Sequence, residues 1–423
     1  MDEKTNFEVI IIGAGGSGLL IAQGLKLNSI KATVYEREPA ATYLTRPRER
    51  GMSLHFGQNS LSKCIPPELM TRLNETLCDP FDTDKRTSWP LYNGETGKKF
   101  FDMPGHNPLR VSHRKLRALL SEGIDIRHGK KLVSLSRRGA SATAKFADGD
   151  IATAALIIGC EGAHSPVREA LVGRERAVNT PIDIQVFNTC WRLPADVALL
   201  QRKDSPIFHI GYHPIGMTWV SGIQDVEDPN DPTTFLFQQL LSWPGRPYAE
   251  DFPDQQSKID FVKQKADIYA EPWKSAGMNI PFDTELHVDR IAIWKPDMDW
   301  TSCSLWPHVT IAGDAAHSMP PFRGQGLNNA LADAEKIVSE LVEVKNNLKS
   351  LEEAVRGYEE EMKARGLKEV EISTIQSRMV HSWDTLMESP MMKAGMNAYK
   401  GDINEYIKYL DTNPRKPLGI DAA

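Results

Sequence analysis

An apolar run that leads directly into a cluster of glycines constrains the fold of this chain more than any other feature. Residues 7–12 read FEVIII, a β-branched pattern typical of a parallel strand buried on both faces. The glycines of residues 13–18 follow at once, and helical spacing of apolar residues begins at Ser17. A second short apolar strand, residues 32–35, ends at Glu36. The pattern predicts a βαβ unit of about thirty residues.

The glycine cluster has the spacing G-x-G-x-x-G, which suits the phosphates of a dinucleotide. Gly13 allows a tight turn, Gly15 lets the backbone approach a pyrophosphate, and Gly18 allows helix and strand to pack closely. The helix N-terminus adds free N–H groups and a partial positive charge. Glu36 can accept hydrogen bonds from a ribose diol and would repel a 2′-phosphate, which favours FAD or NAD(H) over NADPH. The candidate contacts in this segment are Gly13, Gly15, Gly16, Ser17, Gly18, Glu36 and Arg37.

A second glycine-rich motif lies near residue 313. Residues 309–312 form a short apolar run, followed by Gly313-Asp314-Ala315-Ala316-His317, two prolines and the sequence GQGLNN. Asp314 can bind polyol hydroxyls, and the helix opened by the later glycines presents N–H groups to a carbonyl oxygen or a reduced, anionic ring. A strand-loop-helix connection without a ligand is the alternative, and His317 is expected to brace the loop rather than to react. The candidate contacts are Gly313, Asp314, Pro321, Gly324, Gly326, Leu327 and Asn328.

A third motif, residues 159–168, reads GCEGAHSPVR and follows another apolar run. The three motifs together, in this order and spacing, resemble the class A flavoprotein monooxygenases of the p-hydroxybenzoate hydroxylase fold. The resemblance implies an α/β (α+β) fold with a Rossmann-like FAD-binding domain, a mixed, largely antiparallel substrate sheet and C-terminal helices. The expected FAD-binding domain comprises residues 1–80, 101–178 and 287–345, the substrate domain residues 81–100 and 179–286, and the C-terminal helical region residues 346–423.

The resemblance also implies roles for single residues. Gly13, Gly15, Gly18 and Glu36 would bind the ADP half of FAD, Asp314 the ribityl chain, and Gly326, Leu327 and Asn328 the isoalloxazine ring. Glu161 stands where the family usually has Asp, with the charge kept. A helix is predicted at residues 113–121, and it has His113 where the family has an arginine that contacts FAD, so either His113 or the neighbouring Arg114 would take the place of that arginine. Arg48 and Arg50 are further candidates for flavin contacts.

The resemblance implies an FAD-dependent monooxygenase that takes electrons transiently from NADPH or NADH and reacts with O2. Through a flavin C4a-hydroperoxide it would hydroxylate an electron-rich aromatic or enolic small molecule, as in secondary metabolism. An epoxidase, a double-bond reductase and a non-catalytic flavin-binding module are the alternatives. A phenolic substrate needs a base. The candidate bases are His55, His209, Tyr212 and His213, of which His209 and His213 should share one strand face and Tyr212 should lie on the other.

Composition narrows the remaining classes. The balance of 50 Lys and Arg against 56 Asp and Glu gives a net charge of −6, which argues against nucleic-acid binding. The 5 cysteines include no C-x-x-C pair, which disfavours a bound metal and a disulfide reductase. No apolar run approaches the ~20 residues that a membrane span needs, so we expect a cytoplasmic monomer or homodimer. Trp191, Trp219 and Trp294 are expected in the core, or as the wall of a planar substrate site.

Overall fold

The computed structural model describes residues 7–45, 48–82, 88–104, 108–245, 252–389 and 392. Its strands are β1 Glu8–Ile12, β2 Lys31–Tyr35, β3 Gly51–Leu54, β4 Ser88–Asn93, β5 Lys99–Pro104, β6 Leu109–Ser112, β7 Ile126–Arg127, β8 Leu132–Arg138, β9 Ser141–Phe146, β10 Ile151–Ala154, β11 Leu156–Gly159, β12 Thr180–Arg192, β13 Phe208–His213, β14 Met217–Asp225, β15 Leu236–Pro244, β16 Val288–Ile293 and β17 Val309–Ile311. Its α-helices are α1 Gly16–Leu27, α2 Ala40–Tyr43, α3 Gly57–Cys64, α4 Pro67–Met70, α5 His113–Ser121, α6 Pro166–Val172, α7 Ala195–Arg202, α8 Gln255–Asp267, α9 Trp273–Met278, α10 Asp314–His317, α11 Gly326–Lys345, α12 Leu351–Val380 and α13 Trp383–Glu388.

The chain divides into two compact units. The first comprises Met1–Pro80, Leu109–Pro181 and Ala292–Ser373, and the second comprises Phe81–Pro108, Ile182–Ile291 and Thr374–Ala423. Each unit is therefore built from separated stretches of sequence. The α/β fold class expected from the sequence is confirmed.

A five-stranded parallel sheet in the order β17-β11-β1-β2-β7 forms the centre of the first unit. Its register pairs Ile12 with both Tyr35 and Gly159, and Gly159 with Ile311. The last residues of these four strands, β17, β11, β1 and β2, therefore lie side by side. The loops that follow them meet at a single edge of the sheet. Ligands bind at this carboxyl edge in open parallel sheets. All three sequence motifs begin there.

The apolar run of residues 151–158, which precedes the third motif, predicts a single buried strand. This prediction is wrong in one respect, because the structure divides the run between two sheets. β10 pairs antiparallel with β9 in a three-stranded sheet, whereas β11 pairs in parallel with β1. The chain changes sheets at Ala155, whose N–H donates to the carbonyl oxygen of Glu8 at 3.1 Å. β11 is buried throughout, while three of the four β10 residues retain solvent exposure.

The second unit contains a seven-stranded sheet in the order β16-β12-β15-β14-β13-β4-β5. Its described neighbour pairs are antiparallel except β13 with β4. The alternation of polar and apolar residues at 183–192, 207–212 and 217–223 predicts strands with one exposed face, but every residue of β13 is buried. One cause is that the ring of Trp273 in α9 lies against Gly211, and another is that Thr218 on the neighbouring strand donates to the carbonyl oxygen of Val380.

The C-terminal helices differ from the sequence prediction in two respects. The helical spacing of Ile337, Leu341, Val344 and Leu348 predicts an apolar stripe that ends at Leu348, but α11 ends at Lys345 and Leu348 is 68% exposed. Most of α12 belongs to the first unit rather than to a separate helical region, because Val355, Tyr358 and Met362 are buried in the core of that unit. Residues 101–104, predicted in the FAD-binding domain, instead form part of β5 in the second unit.

Parts of all three expected domains fall outside the described residues, namely residues 1–6, 46–47, 83–87, 105–107, 246–251, 390–391 and 393–423. Within the described part of the chain, no helix is long and apolar enough to cross a membrane.

Candidate cofactor site

The turn between β1 and α1 requires its glycines. Gly13 has φ +103°, and a Cβ atom there would lie 2.5 Å from the carbonyl oxygen of Cys160. A Cβ on Gly18 would overlap the carbonyl oxygen of Gly13. The loops after β1 and β11 are therefore in contact through their backbones, which leaves no room for a side chain at either position.

The N-terminus of α1 offers hydrogen-bond donors to an anion. Gly15 is the N-cap and supplies no side-chain cap, and the first bond within the helix runs from the Leu19 N–H to the Gly15 carbonyl oxygen at 3.0 Å. The N–H groups of Gly16, Ser17 and Gly18 consequently have no acceptor within the helix. Together with the helix dipole they suit a pyrophosphate.

Glu36 closes this turn from the neighbouring strand. Its Oε2 accepts from the N–H of Ala14 at 2.8 Å, and its Oε1 accepts from the N–H of Glu38 at 2.9 Å. The side chain is 6% exposed and belongs to the same sheet edge as the glycines. A buried carboxylate at the end of the second strand is the ribose acceptor that a dinucleotide fingerprint requires. Arg37, the next residue, is exposed.

Arg117 is a site residue that the sequence analysis missed. Its guanidinium carbon lies 3.8 Å from the centre of the Tyr43 ring, its Nε donates to the Ala14 carbonyl oxygen at 3.3 Å, and the residue is 3% exposed. The Tyr43 hydroxyl donates to the same oxygen at 2.8 Å. The sequence signal that could have identified Arg117 was its position directly after the apolar Leu116 on α5, a helix that packs on the core.

The other basic candidates of this region lie elsewhere. Arg114 pairs with Glu49 at 3.0 Å, with 44% of its side chain exposed. His113 is half-buried, and its main-chain N–H donates to the carbonyl oxygen of Arg50. Arg48 and Arg50 are exposed. Of the two arginines of α5, Arg117 contacts Ala14 and Arg114 does not.

The loop after β17 packs on the glycine turn. Gly313 has φ +65°, and a Cβ atom there would lie 2.8 Å from the Ser17 Oγ. Asp314 begins α10 with an exposed side chain, and a Cβ on Gly326 would lie 3.9 Å from its Oδ1. A Cβ on Gly16 would lie 3.3 Å from Leu327. The first and second sequence motifs thus form one surface.

The first turn of α11 presents backbone donors, and the side chain of Asn328 is bonded within the protein. Its Oδ1 accepts from the N–H groups of His55 at 2.7 Å and Gly57 at 3.2 Å. Its Nδ2 donates to the carbonyl oxygens of Ser53 and Gly324, both at 3.0 Å. The side chain holds the loop after β3, so Asn328 itself can offer a ligand only its main chain. Pro321 and Gly324 belong to the preceding loop, where Gly324 has φ +64°.

The third motif forms a buried brace. Glu161 accepts from Ser165 Oγ at 3.0 Å and from the N–H of Val167 at 3.1 Å, and burial raises the pKa of its carboxyl to about 7. Arg168 is 2% exposed and donates to the carbonyl oxygen of Ala315 at 3.1 Å. It also lies 4.8 Å from the Trp294 ring. The third motif is therefore tied to the loop that carries Asp314.

The second unit holds the remaining candidate bases, and two of them are poorly suited to that role. His209 lies 5.1 Å from Trp273, ring centre to ring centre, and burial lowers its pKa to about 3. The Nε2 of His213 lies 3.1 Å from the Ile268 carbonyl oxygen, and burial lowers its pKa as well. Both histidines lie on the strand face covered by α9 and the segment before it. Tyr212 lies on the opposite face, and burial raises its pKa.

The tryptophans pack as core side chains. Trp219 is fully buried and donates to Gln239 Oε1 at 2.8 Å, while Trp191 donates to the Ala276 carbonyl oxygen at 3.2 Å. Trp294 donates to the Arg176 carbonyl oxygen at 2.8 Å. These contacts correspond to the first of the two expected roles.

The donors and acceptors of the first unit fit FAD. A glycine cradle without side chains, a helix N-terminus, a buried carboxylate and an exposed Asp314 match a pyrophosphate, a ribose and a polyol chain. In the described residues, no group of His, Cys, Asp or Glu is arranged to hold a metal ion.

Comparisons with known proteins indicate the same cofactor. A family described as FAD binding domain matches residues 285–373. The chain is 36% identical over 398 residues to the FAD-dependent monooxygenase cctM of Talaromyces islandicus, covering 92% of this chain and 96% of that protein. It is 33% identical to the FAD-dependent monooxygenase phnB of Penicillium herquei, covering 92% and 94%. The structure of Klebsiella pneumoniae HpxO with FAD and uric acid aligns with a TM-score of 0.74 at 18% identity, covering 97% and 98%. The chain belongs to the FAD-dependent monooxygenases, with the p-hydroxybenzoate hydroxylase fold.

Proposed function

We propose that the protein uses NADPH or NADH and O2 to hydroxylate an electron-rich aromatic or enolic small molecule, as part of secondary metabolism. The observation that carries the proposal is the meeting of three separated motifs at one edge of the parallel sheet: two of them offer groups suited to one dinucleotide, and the third braces the segment that carries Asp314. The described residues contain one such glycine turn. The nicotinamide donor would therefore bind transiently, without a second dinucleotide fold.

When bound, FAD supplies the redox chemistry with the nicotinamide and oxygen. The residues of this chain hold it. The first turn of α1 and Glu36 would bind the ADP half, Asp314 the ribityl chain, and the N–H groups of Gly326 to Asn328 the charged edge of the ring. Glu161 and Arg168 would maintain the loop that carries Asp314.

The proposed substrate class is supported by the chemistry of oxygen transfer and by one structural neighbour. HpxO was crystallised with uric acid, a planar and oxygen-rich ring. Oxygen transfer to an electron-rich ring is favoured when a base removes an acidic O–H or N–H proton from it. His55 is the histidine that best suits this role, because it is half-buried and its main chain is fixed by Asn328.

Oxidation of NADPH and of NADH should be measured with resorcinol, phloroglucinol and uric acid as probes, and with benzene as the control that lacks an acidic O–H or N–H proton. We expect at least one of the three probes to accelerate oxidation, and its product to contain one heavy oxygen atom when the reaction runs under isotopically heavy O2. Accelerated oxidation with a product that gains hydrogen and no heavy oxygen would identify a double-bond reductase instead. A His55→Asn variant should bind FAD normally but lose the rise of product formation with pH.

A further inference from the structure

A buried ionic network contacts α10, the short helix that begins at Asp314. Asp333 on α11 is its centre and is fully buried. Its Oδ2 accepts from the N–H of Gly313 at 2.6 Å and lies 2.7 Å from the Nε2 of His317. Its Oδ1 accepts from Arg365 on α12 at 2.7 Å. One carboxylate therefore holds both ends of α10 and is itself held by α12.

Arg365 is fixed by further partners. It makes two hydrogen bonds to Glu361 one turn earlier on α12, at 2.7 and 2.9 Å. It also donates to the Asn329 side-chain oxygen at 3.0 Å. A bidentate pair restricts the guanidinium to one orientation. The arginine thus links α12 to α11 at the level of the cofactor loop.

The charges in this network stabilise one another. Burial opposes ionisation of both Asp333 and His317, but their mutual attraction and hydrogen bond outweigh it, so the pKa of Asp333 is lowered and that of His317 is raised. Arg365 lowers the pKa of the aspartate further and disfavours the imidazolium, while Asp314 favours it. The pair is consequently ionic, and removal of one partner leaves a buried charge uncompensated.

The helix that carries Asp314 cannot hold its own conformation. α10 has four residues, fewer than an isolated helix needs for stability, and it follows Gly313 at φ +65°. Its direction must come from contacts outside the helix. Among the described residues, the side chain that bonds to both the residue before α10 and the last residue of α10 is Asp333.

We propose that Asp333 and Arg365 are positioning residues for FAD. Asp333 sets the direction of the Asp314 side chain through its bonds to both ends of α10, and Arg365 acts on α10 through Asp333. The proposal rests on the proposed role of Asp314 in holding the ribityl chain. It makes α12, a helix that the sequence assigned to a separate region, part of the cofactor-binding machinery.

FAD titration of the apoprotein tests the proposal. Asp333→Asn, Arg365→Met and Asp314→Ala should each raise the dissociation constant of FAD at least about tenfold, the effect of losing a hydrogen bond to a charged group. Arg365→Lys keeps the charge and should lie between Arg365→Met and the wild type. Arg356→Met is the matched control, since Arg356 makes the same type of i,i+4 pair on α12, with Glu352 at 3.0 Å.

A double-mutant cycle separates positioning from general stabilisation. If Arg365 acts through Asp314, the combined variant Asp314→Ala with Arg365→Met should bind FAD no more weakly than Asp314→Ala alone. Additive losses would overturn the proposal, as would an unchanged affinity in Asp333→Asn and Arg365→Met. If Asp314→Ala alone leaves affinity unchanged, the ribityl role of Asp314 fails and the proposal with it. Substrate oxidation is not part of this measurement, so failure of the hydroxylase assignment would leave its outcome intact.

Discussion

The N–H of Ala14 donates to Glu36 Oε2 at 2.8 Å, which joins the glycine turn after β1 to the acid that follows β2. The carbonyl oxygen of the same residue accepts from Tyr43 and Arg117. Ala14, the second residue of the fingerprint, is therefore held on both sides of its backbone. The turn is already ordered by side chains of the protein, which lowers the entropy lost when a cofactor binds.

Replacement of Glu36 should weaken FAD binding. Glu36→Ala removes the acceptor for Ala14 and the carboxylate expected to bind the ribose, so we expect the dissociation constant to rise at least about tenfold. Glu36→Gln retains an acceptor oxygen and should lose less. Fluorescence titration of the apoprotein with FAD measures both. An affinity in Glu36→Ala equal to that of the wild type would show that the carboxylate does not contact the cofactor.

Replacement of Arg117 should destabilise the protein more than replacement of Arg114. Arg117→Met removes a buried guanidinium bonded to Ala14 and stacked on Tyr43, and it should cost about 1–3 kcal/mol of unfolding free energy. Arg114→Met removes a half-exposed ion pair with Glu49 and should cost less than about 1 kcal/mol. Urea unfolding of the apoproteins measures the difference. Equal losses would contradict the assignment of Arg117 to the glycine turn.

Asn328 should contribute to stability through its side chain. Asn328→Ala leaves the N–H groups of His55 and Gly57 without their acceptor, at a cost of about 1–3 kcal/mol for each that stays buried. Asn328→Asp keeps that acceptor but places a charge beside the carbonyl oxygens of Ser53 and Gly324, so it should also destabilise. Thermal unfolding of the apoproteins tests this, with the exposed Asn346→Ala as control. A loss no larger than in the control would mean that the four bonds contribute little.

Acid should destabilise the protein partly through His209. The folded-state pKa of about 3 lies below the ordinary value of 6.5, so the unfolded chain binds the proton more strongly. The stabilisation is complete above pH 6.5 and is lost as the pH falls toward 3, by an amount on the order of a few kcal/mol. His209→Phe should flatten this dependence in urea unfolding at several pH values. Burial also lowers the pKa of His381 to about 4, so the unfolding free energy of this variant should still depend on pH in part. An unchanged slope in His209→Phe would contradict the buried, neutral state of His209.

Local patterns were sufficient to predict the cofactor side of the molecule. The helix predicted at residues 113–121 coincides with α5, and residues 7–12 contain β1. A glycine that is required by a positive φ or by a close backbone contact can be recognised directly in the sequence. An apolar run of strand length can be recognised in the same way.

Features that depend on distant partners were not predictable in this way. Alternation correctly placed His209 and His213 on one face of β13, but which face α9 covers is decided by residues more than fifty positions later. The change of sheets at Ala155 and the contact of Arg117 with Ala14 depend in the same way on tertiary pairing. The attachment of α12 to the first unit follows from its buried face, whose partner no periodicity specifies.

The FAD content of the purified protein tests the central claim most directly. Protein supplied with FAD and then freed of unbound flavin should retain close to a single equivalent per chain, measured by its visible absorbance after release. Asp314→Ala should retain clearly less under the same wash. A folded wild-type protein that takes up no FAD would contradict the account, because the glycine turn, Glu36 and the loop of Asp314 would then not form a cofactor site.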